Sequence, residues 1–200
     1  DLKAPKKPIQ EDTAPEICTD CYEQEDLKFL YNKLKKDGEA YFIFDSGIFY
    51  FKADNGVAEV VPMNAGYVEF CTEFLFNKEI KKYTYNAKAL YSFFYDYGND
   101  IEVNNICGDA MLSAYLINPS SGAYDLKRII AEYANAEFGE GDETAFYTAY
   151  LPSAFEKLNA LIEEHRDFPY TVLAIVATVG SFDFGTPKKK SKLLQRYEAG

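Results

Sequence analysis

The order of apolar patterns along the chain predicts an α/β fold in which a mixed five-stranded sheet is flanked by helices. Three observations lead there. Three β-prone runs follow one another between residues 40 and 62, the last two joined by Asp54-Asn55-Gly56. Helical and extended patterns then alternate, as they do when helices cover a sheet. Finally, residues 107–133 read as two amphipathic helices separated by a tight break.

Taken in order, residues 24–36 form a helix. Leu27, Leu30, Tyr31 and Leu34 give its stripe, lysines crowd its last turn, and Gly38 follows as the C-cap. Residues 40–45 (AYFIFD) are nearly all apolar, as in a central strand. Strands over 48–53 and 57–62 meet at the Asn-Gly turn, whose residues tolerate positive φ. Residues 67–76 make a short helix carrying Val68, Cys71, Phe74 and Leu75, and 81–85 a fourth strand. Asn86 caps a helix through about residue 95, ended near Gly98. A fifth strand is expected over 101–104.

Gly108-Asp109 then supplies an N-cap, and Met111, Leu112, Tyr115 and Leu116 are expected on one buried face. Asn118-Pro119 stops that helix, because proline lacks the N–H and restricts the residue before it. Ser120-Ser121-Gly122 turns the chain. Asp125 caps the next helix, with Leu126, Ile129, Ile130 and Tyr133 as its stripe. The acidic, glycine-rich stretch 137–143 is an exposed loop. Residues 145–164 are helical, interrupted or started by Pro152 and periodic through Phe155, Leu158, Leu161 and Ile162.

Residues 1–23, with Pro5, Pro8 and Pro15 and little apolar content, read as a linker. Residues 24–166 are the folded domain and 167–200 a C-terminal extension. Within the extension, TVLAIVATV fits a buried strand or a core helix, and PKKKSK at 187–192 a solvated basic terminus. The apolar run at 172–179 is far short of the ~20 residues of a membrane span. A chain that starts at Asp1 without Met reads as an excised piece of a soluble, cytoplasmic protein.

Twenty-one basic against 32 acidic residues give a net charge of −11, which disfavours autonomous binding to polyanionic DNA. Seventeen Tyr and 16 Phe with no Trp are expected mostly in the core and half-buried sheet. Cys18-x-x-Cys21 has metal-site spacing but no second pair, and His165 is the single histidine. Cys71 and Cys107 are expected to be buried. The chain carries no phosphate-binding glycine loop and no serine or cysteine nucleophile paired with histidine.

The segment Asp109-x-Met111-Leu112-x-x-Tyr115-Leu116-x-Asn118-Pro119, followed by Asp125, resembles the second exonuclease segment of bacterial DNA polymerase I, in its 3′–5′ proofreading domain. The resemblance extends more weakly from about residue 27 to 164. It implies a ribonuclease H-like fold and a two-metal hydrolase, in which four carboxylates hold two divalent ions about 4 Å apart and a tyrosine positions water.

Motif by motif, the implied site is degenerate. Phe44-Asp45-Ser46-Gly47 stands for F-D-x-E, so Asp45 matches while Gly47 lacks the carboxylate. If the chain turns directly after Asp45, even that match is accidental. Asn86-Ala87-Lys88-Ala89-Leu90 stands for N-x-x-x-D, with Leu90 in place of the aspartate. Tyr147 keeps the tyrosine of Y-x-x-x-D, and Leu151 replaces its aspartate just before Pro152, which is expected to disturb the helix.

The resemblance therefore implies a catalytically silent exonuclease-like domain that supports a polymerase module. No metal or other cofactor is expected in this domain, and Mg²⁺ belongs to the parent polymerase. Its partners would be the polymerase and 5′-nuclease domains of the same chain, with DNA contacted through the parent enzyme, in DNA replication and repair and away from any membrane. Asp109 and Asp125 are helix caps in this reading. Two alternatives compete. One is a divergent exonuclease using Glu39, Asp54, Asp96 and Asp100, and the other is a ribonuclease H-like interaction module.

Overall fold

The computed structural model describes residues 17–18, 24–54, 56–96 and 102–164. The element order is β1 (Ile17–Cys18), α1 (Gln24–Asp37), β2 (Glu39–Asp45), β3 (Ile48–Ala53), β4 (Gly56–Val60), α2 (Tyr67–Phe76), β5 (Lys81–Thr84), α3 (Ala87–Asp96), β6 (Ile106–Asp109), α4 (Ala110–Ile117), α5 (Leu126–Ile129), a π-helix (Ile130–Ala134) and α6 (Glu143–Glu164). The sheet order is β1-β4-β3-β2-β5-β6. Five of these strands form the expected mixed sheet. β2 pairs antiparallel with β3 and β3 with β4, while β2 pairs parallel with β5 and β5 with β6. β1, inside the stretch expected to be linker, adds two residues in parallel to β4. The extension beyond residue 166 and its apolar and basic runs lie outside the described residues, as do Cys21 and His165.

Alternation along the strands sorts the core onto two faces. Phe42, Phe44, Phe49 and Phe51 pack with Leu27, Leu30 and Leu34 of α1, Phe70 and Phe74 of α2, and Leu90 and Phe94 of α3. The rings interlock edge to face: Phe74 lies 5.3 Å from Phe42 and 5.0 Å from Phe51. This is where much of the phenylalanine content goes. On the opposite face, Ile43 joins Ala110, Ala114, Ile129, Ile130, Phe146, Leu151, Phe155 and Leu158. α6 lies across β2, β3 and β4 there.

Residues 102–104 are not strand, and residue 101 lies outside the described residues; the fifth strand is Ile106–Asp109, where Lys82 pairs with Ile106 and Thr84 with Asp109. The cause is the C-terminus of α2, whose carbonyls need donors. Asn104 supplies its backbone N–H to Leu75 O at 2.8 Å and its side-chain amide to Phe76 O at 3.0 Å. The Asn105 amide donates to Lys78 O at 3.0 Å, and Lys82 Nζ to Asn77 O at 2.6 Å. With Asn104 engaged in this corner, bonding to β5 begins only at the Asn105 carbonyl, which accepts from Lys82 N at 2.9 Å, and the strand itself at Ile106.

Three further expectations change. Cys71 is buried, but Cys107 is exposed on the edge strand β6. α4 buries Ala110, Ser113 and Ala114, not Met111, Leu112, Tyr115 and Leu116, because the small side chains let α4 approach α6 closely. α6 runs unbroken through Pro152. Proline denies the Thr148 carbonyl its usual donor. Burial of Leu151, Ala154 and Phe155 on either side of it holds the helix to its course.

Candidate active site

The site that the motifs imply lies at the C-terminal end of β2. Asp45 pairs with Ile48, so only Ser46 and Gly47 connect β2 to β3. Both have positive φ, 51° and 94°, the signature of a two-residue type I′ hairpin. The strand thus ends at Asp45, two residues short of the position where the second carboxylate of F-D-x-E would project. Asp45 is exposed and accepts a hydrogen bond from Ser46 Oγ at 2.9 Å. A side chain at Gly47 would have to adopt a left-handed backbone and would begin 3.1 Å from the Phe93 ring and 3.4 Å from Pro62. The Gly47 carbonyl accepts a hydrogen bond from the buried Tyr67 hydroxyl, and burial pushes that phenol far above its ordinary range.

Leu90 lies one turn into α3. It is 1% exposed and belongs to the cluster that holds Phe44, the residue before Asp45. Phe93 and Phe94 of the same helix close over Phe44 at 5.0 and 5.7 Å. Leu151, 0% exposed, belongs to the cluster on the opposite face that holds Ile43. Tyr147, one turn earlier on α6, is buried and donates its hydroxyl to Glu143 Oε1 at 2.6 Å. Burial, reinforced by Glu143, raises its pKa. The three motif positions therefore flank the end of β2 from both faces of the sheet, and at two of them the side chain is an isobutyl group with no oxygen. This donor set does not suit a pair of hard divalent cations.

The alternative acids do not converge either. Glu39 stands at the opposite end of β2, paired with Lys81. Asp54 is bound to Lys33 at 2.6 Å. The side chain of Asp96 and all of Asp100 lie outside the described residues. Among the described residues no three His, Cys, Asp or Glu side chains are placed to hold a metal ion.

What surrounds the site is well built. Asp109, 5% exposed, accepts from four backbone amides: Asn86 N at 3.0 Å, Ala87 N at 2.8 Å, Met111 N at 2.9 Å and Leu112 N at 3.4 Å. One carboxylate thus caps α3, the helix of the second motif, together with α4. Burial raises its pKa while the four amides pull the other way. Asp125 caps α5 through Arg128 N at 3.0 Å, as the sequence predicts. The second acceptor role of Asp109 joins residues 23 positions apart, and helix-start signals do not reveal such a link. Lys82 is the other group that sequence reasoning missed. It is 0% exposed, and its Nζ is held by Asn77 O and Ile80 O and lies 5.2 Å from the centre of the Phe74 ring.

Comparison with known proteins places these features. The family described as DNA polymerase I, ribonuclease H-like domain, matches residues 38–147. No curated protein matches the chain significantly. Among solved structures, the POL domain of Pol1 from M. smegmatis, in complex with DNA primer-template and dNTP, superposes with a TM-score of 0.63 at 13% identity over 78% of this chain. RNase D from Escherichia coli, an exoribonuclease involved in structured RNA processing, gives 0.59 at 13% identity over 84%. NrnC from Brucella melitensis gives 0.50 at 9% identity over 72% of this chain and 82% of its own. The chain spans 30% of the Pol1 chain and 49% of RNase D. At these identities the likeness is one of fold.

Proposed function

This chain belongs to the family of DNA polymerase I ribonuclease H-like domains, and from that premise we propose that it is a catalytically silent 3′–5′ exonuclease-like domain. In this reading it supports the polymerase module of a cytoplasmic DNA polymerase acting in replication and repair. It works without a metal of its own, next to the polymerase and 5′-nuclease domains, and reaches DNA only through the parent enzyme. No helix among the described residues is long and apolar enough to cross a membrane.

One observation carries the reading. The chain turns directly after Asp45 through a type I′ hairpin, so the position of the second carboxylate is occupied by a turn that Phe93 covers. Buried leucines at 90 and 151 complete the argument. An apolar side chain packed at 0–1% exposure has become part of the core, where a charge would need a partner. Retention of the caps at Asp109 and Asp125 fits a fold maintained for support after its chemistry was lost.

The test is digestion of 3′-recessed and single-stranded DNA by the purified chain with Mg²⁺ or Mn²⁺. We expect no metal-dependent shortening from the 3′ end. A ladder of shortened products that disappears in Asp45→Ala would overturn the reading.

A further inference from the structure

The two edges of the sheet differ. At one, β1 lies in parallel on β4 through Ile17 and Cys18. At the other, β6 pairs with β5 alone among the described residues. An edge strand leaves a row of backbone N–H and C=O groups without ladder partners, and proteins usually blunt such a row with lysine, proline or a bulge. β6 has neither lysine nor proline, and the register shift opposite Lys82 and Tyr83 is its one irregularity.

α6 carries the chain to this edge. It starts over β3 and β4, where Ala145 packs with Tyr50 and Val57. By Phe155 it has crossed to β5 and β6: that ring lies 5.3 Å from Tyr83 and fills the space in front of Gly108. The helix then runs on to Glu164, about 13 Å further at 1.5 Å per residue. Its last turns bear Leu161 and Ile162, both half-buried, so apolar surface is still available where the helix ends. The sequence continues to Gly200 and includes the run TVLAIVATV at 171–179. Thr171, Val172, Ile175, Val176, Thr178 and Val179 are β-branched, and the run contains no charge, glycine or proline. Both of its alternating faces are mainly apolar, the pattern of a strand covered on both sides. Residues 165–170 span up to about 20 Å when extended, enough to turn from α6 to the neighbouring edge.

We propose that residues 171–179, which lie outside the described residues, add to β6 as a seventh strand. The other edge is already taken by β1, so β6 is the edge left to receive it. The tether favours this occupant over a separate partner, because a short link holds the segment beside the edge at about millimolar effective concentration. Pairing removes two liabilities together. It gives the open row of β6 its ladder partners, and it covers an uncharged β-branched run that would otherwise invite aggregation. The added strand is independent of whether the site at the end of β2 is silent.

Solution NMR of the isotopically labelled 200-residue chain tests this. We expect cross-strand NOEs between 171–179 and 106–109, extended-type carbon shifts over 171–179, and slow exchange of the β6 amides that point away from β5. The double variant Ile175→Pro with Val176→Pro removes two successive N–H groups, which point to opposite edges, so one of them must face β6. It should abolish those NOEs and the protection of the outward β6 amides, while the amides of β2 and β3 stay protected. Helical shifts over 171–179, fast exchange of the outward β6 amides in the wild type, or protection unchanged in the double variant would each overturn the assignment. So would NOEs seen only between differently labelled chains in a mixed sample, which would give the edge to a second copy. If the double variant also loses protection in β2 and β3, the wild-type NOEs decide, and their absence overturns it.

Discussion

Lys82 shows how a single side chain can work against local sequence rules. A lysine flanked by strand residues reads as solvent-facing, yet the alternation of β5 turns Lys82 and Thr84 inward and Tyr83 toward α6. Burial carries a cost, since it lowers the pKa of this amine from the ordinary 10.5 to about 8. The folded state therefore holds this proton less tightly than the unfolded chain does. The sign follows from linkage, since stability rises with pH wherever the unfolded state binds more protons. From Lys82 alone, stability is lowest below pH 8 and grows as pH rises toward the unfolded value. Cys71 opposes this, because burial raises its thiol to about 12, so the folded state loses stability above the ordinary thiol range of 9. Urea unfolding at pH 7, 8 and 9 separates them. Relative to Lys82→Met, the wild type gains stability between pH 8 and pH 9, and a pH-independent difference would contradict the assignment.

At the scale of elements, Asp109 decides the geometry. It ends β6, caps α4 and reaches back to the two amides that begin α3. An N-cap contributes about 1 kcal/mol, and removing an acceptor from buried amides costs more. Asp109→Ala should therefore destabilise the domain by about 3 kcal/mol in urea unfolding, against under about 1 kcal/mol for Asp125→Ala, whose residue is exposed and caps one short helix. Equal effects would show that the second set of bonds contributes nothing.

Elements also show where sequence reading succeeds and fails. α2 has the bounds expected because its aromatic and apolar face alternates cleanly with Glu69, Thr72 and Glu73. The sequence places β6 five residues too early because 101–104 alternates like a strand. ICGD, by contrast, contains a glycine that looks like a breaker. That glycine is required by α6, since a Cβ at Gly108 would lie 2.6 Å from the Phe155 ring and 2.9 Å from Tyr83. The inward face of α4 was not legible either: nearly every residue is apolar, so periodicity cannot select a side, and tight packing on α6 chose the small ones.

For the whole molecule, the fold was legible, and so were the positions that the motifs occupy on it. Motif spacing identified Leu90 and Leu151, and both are core residues on opposite faces of the sheet. The tight turn at Ser46-Gly47 was only one of two possibilities in the sequence, because Phe-Asp-Ser-Gly suits a continuing strand or a hairpin. Cross-strand pairing of Asp45 with Ile48 settles it, and such pairing is a long-range property. On the proposed reading, restoring one carboxylate is not expected to restore a site. Leu90→Asp should lower stability by at least about 3 kcal/mol, the cost of an unpaired buried charge, and adding Mn²⁺ should leave its thermal midpoint unchanged. A rise in midpoint with Mn²⁺ would mean that oxygen ligands still converge there.

The central claim is that no two-metal centre can assemble at the end of β2. Anomalous diffraction from crystals of the chain soaked in Mn²⁺ tests it most directly. The account predicts no ordered ion between Asp45, Leu90 and Leu151. A pair of anomalous peaks about 4 Å apart, with Asp45 among the ligands, would contradict it.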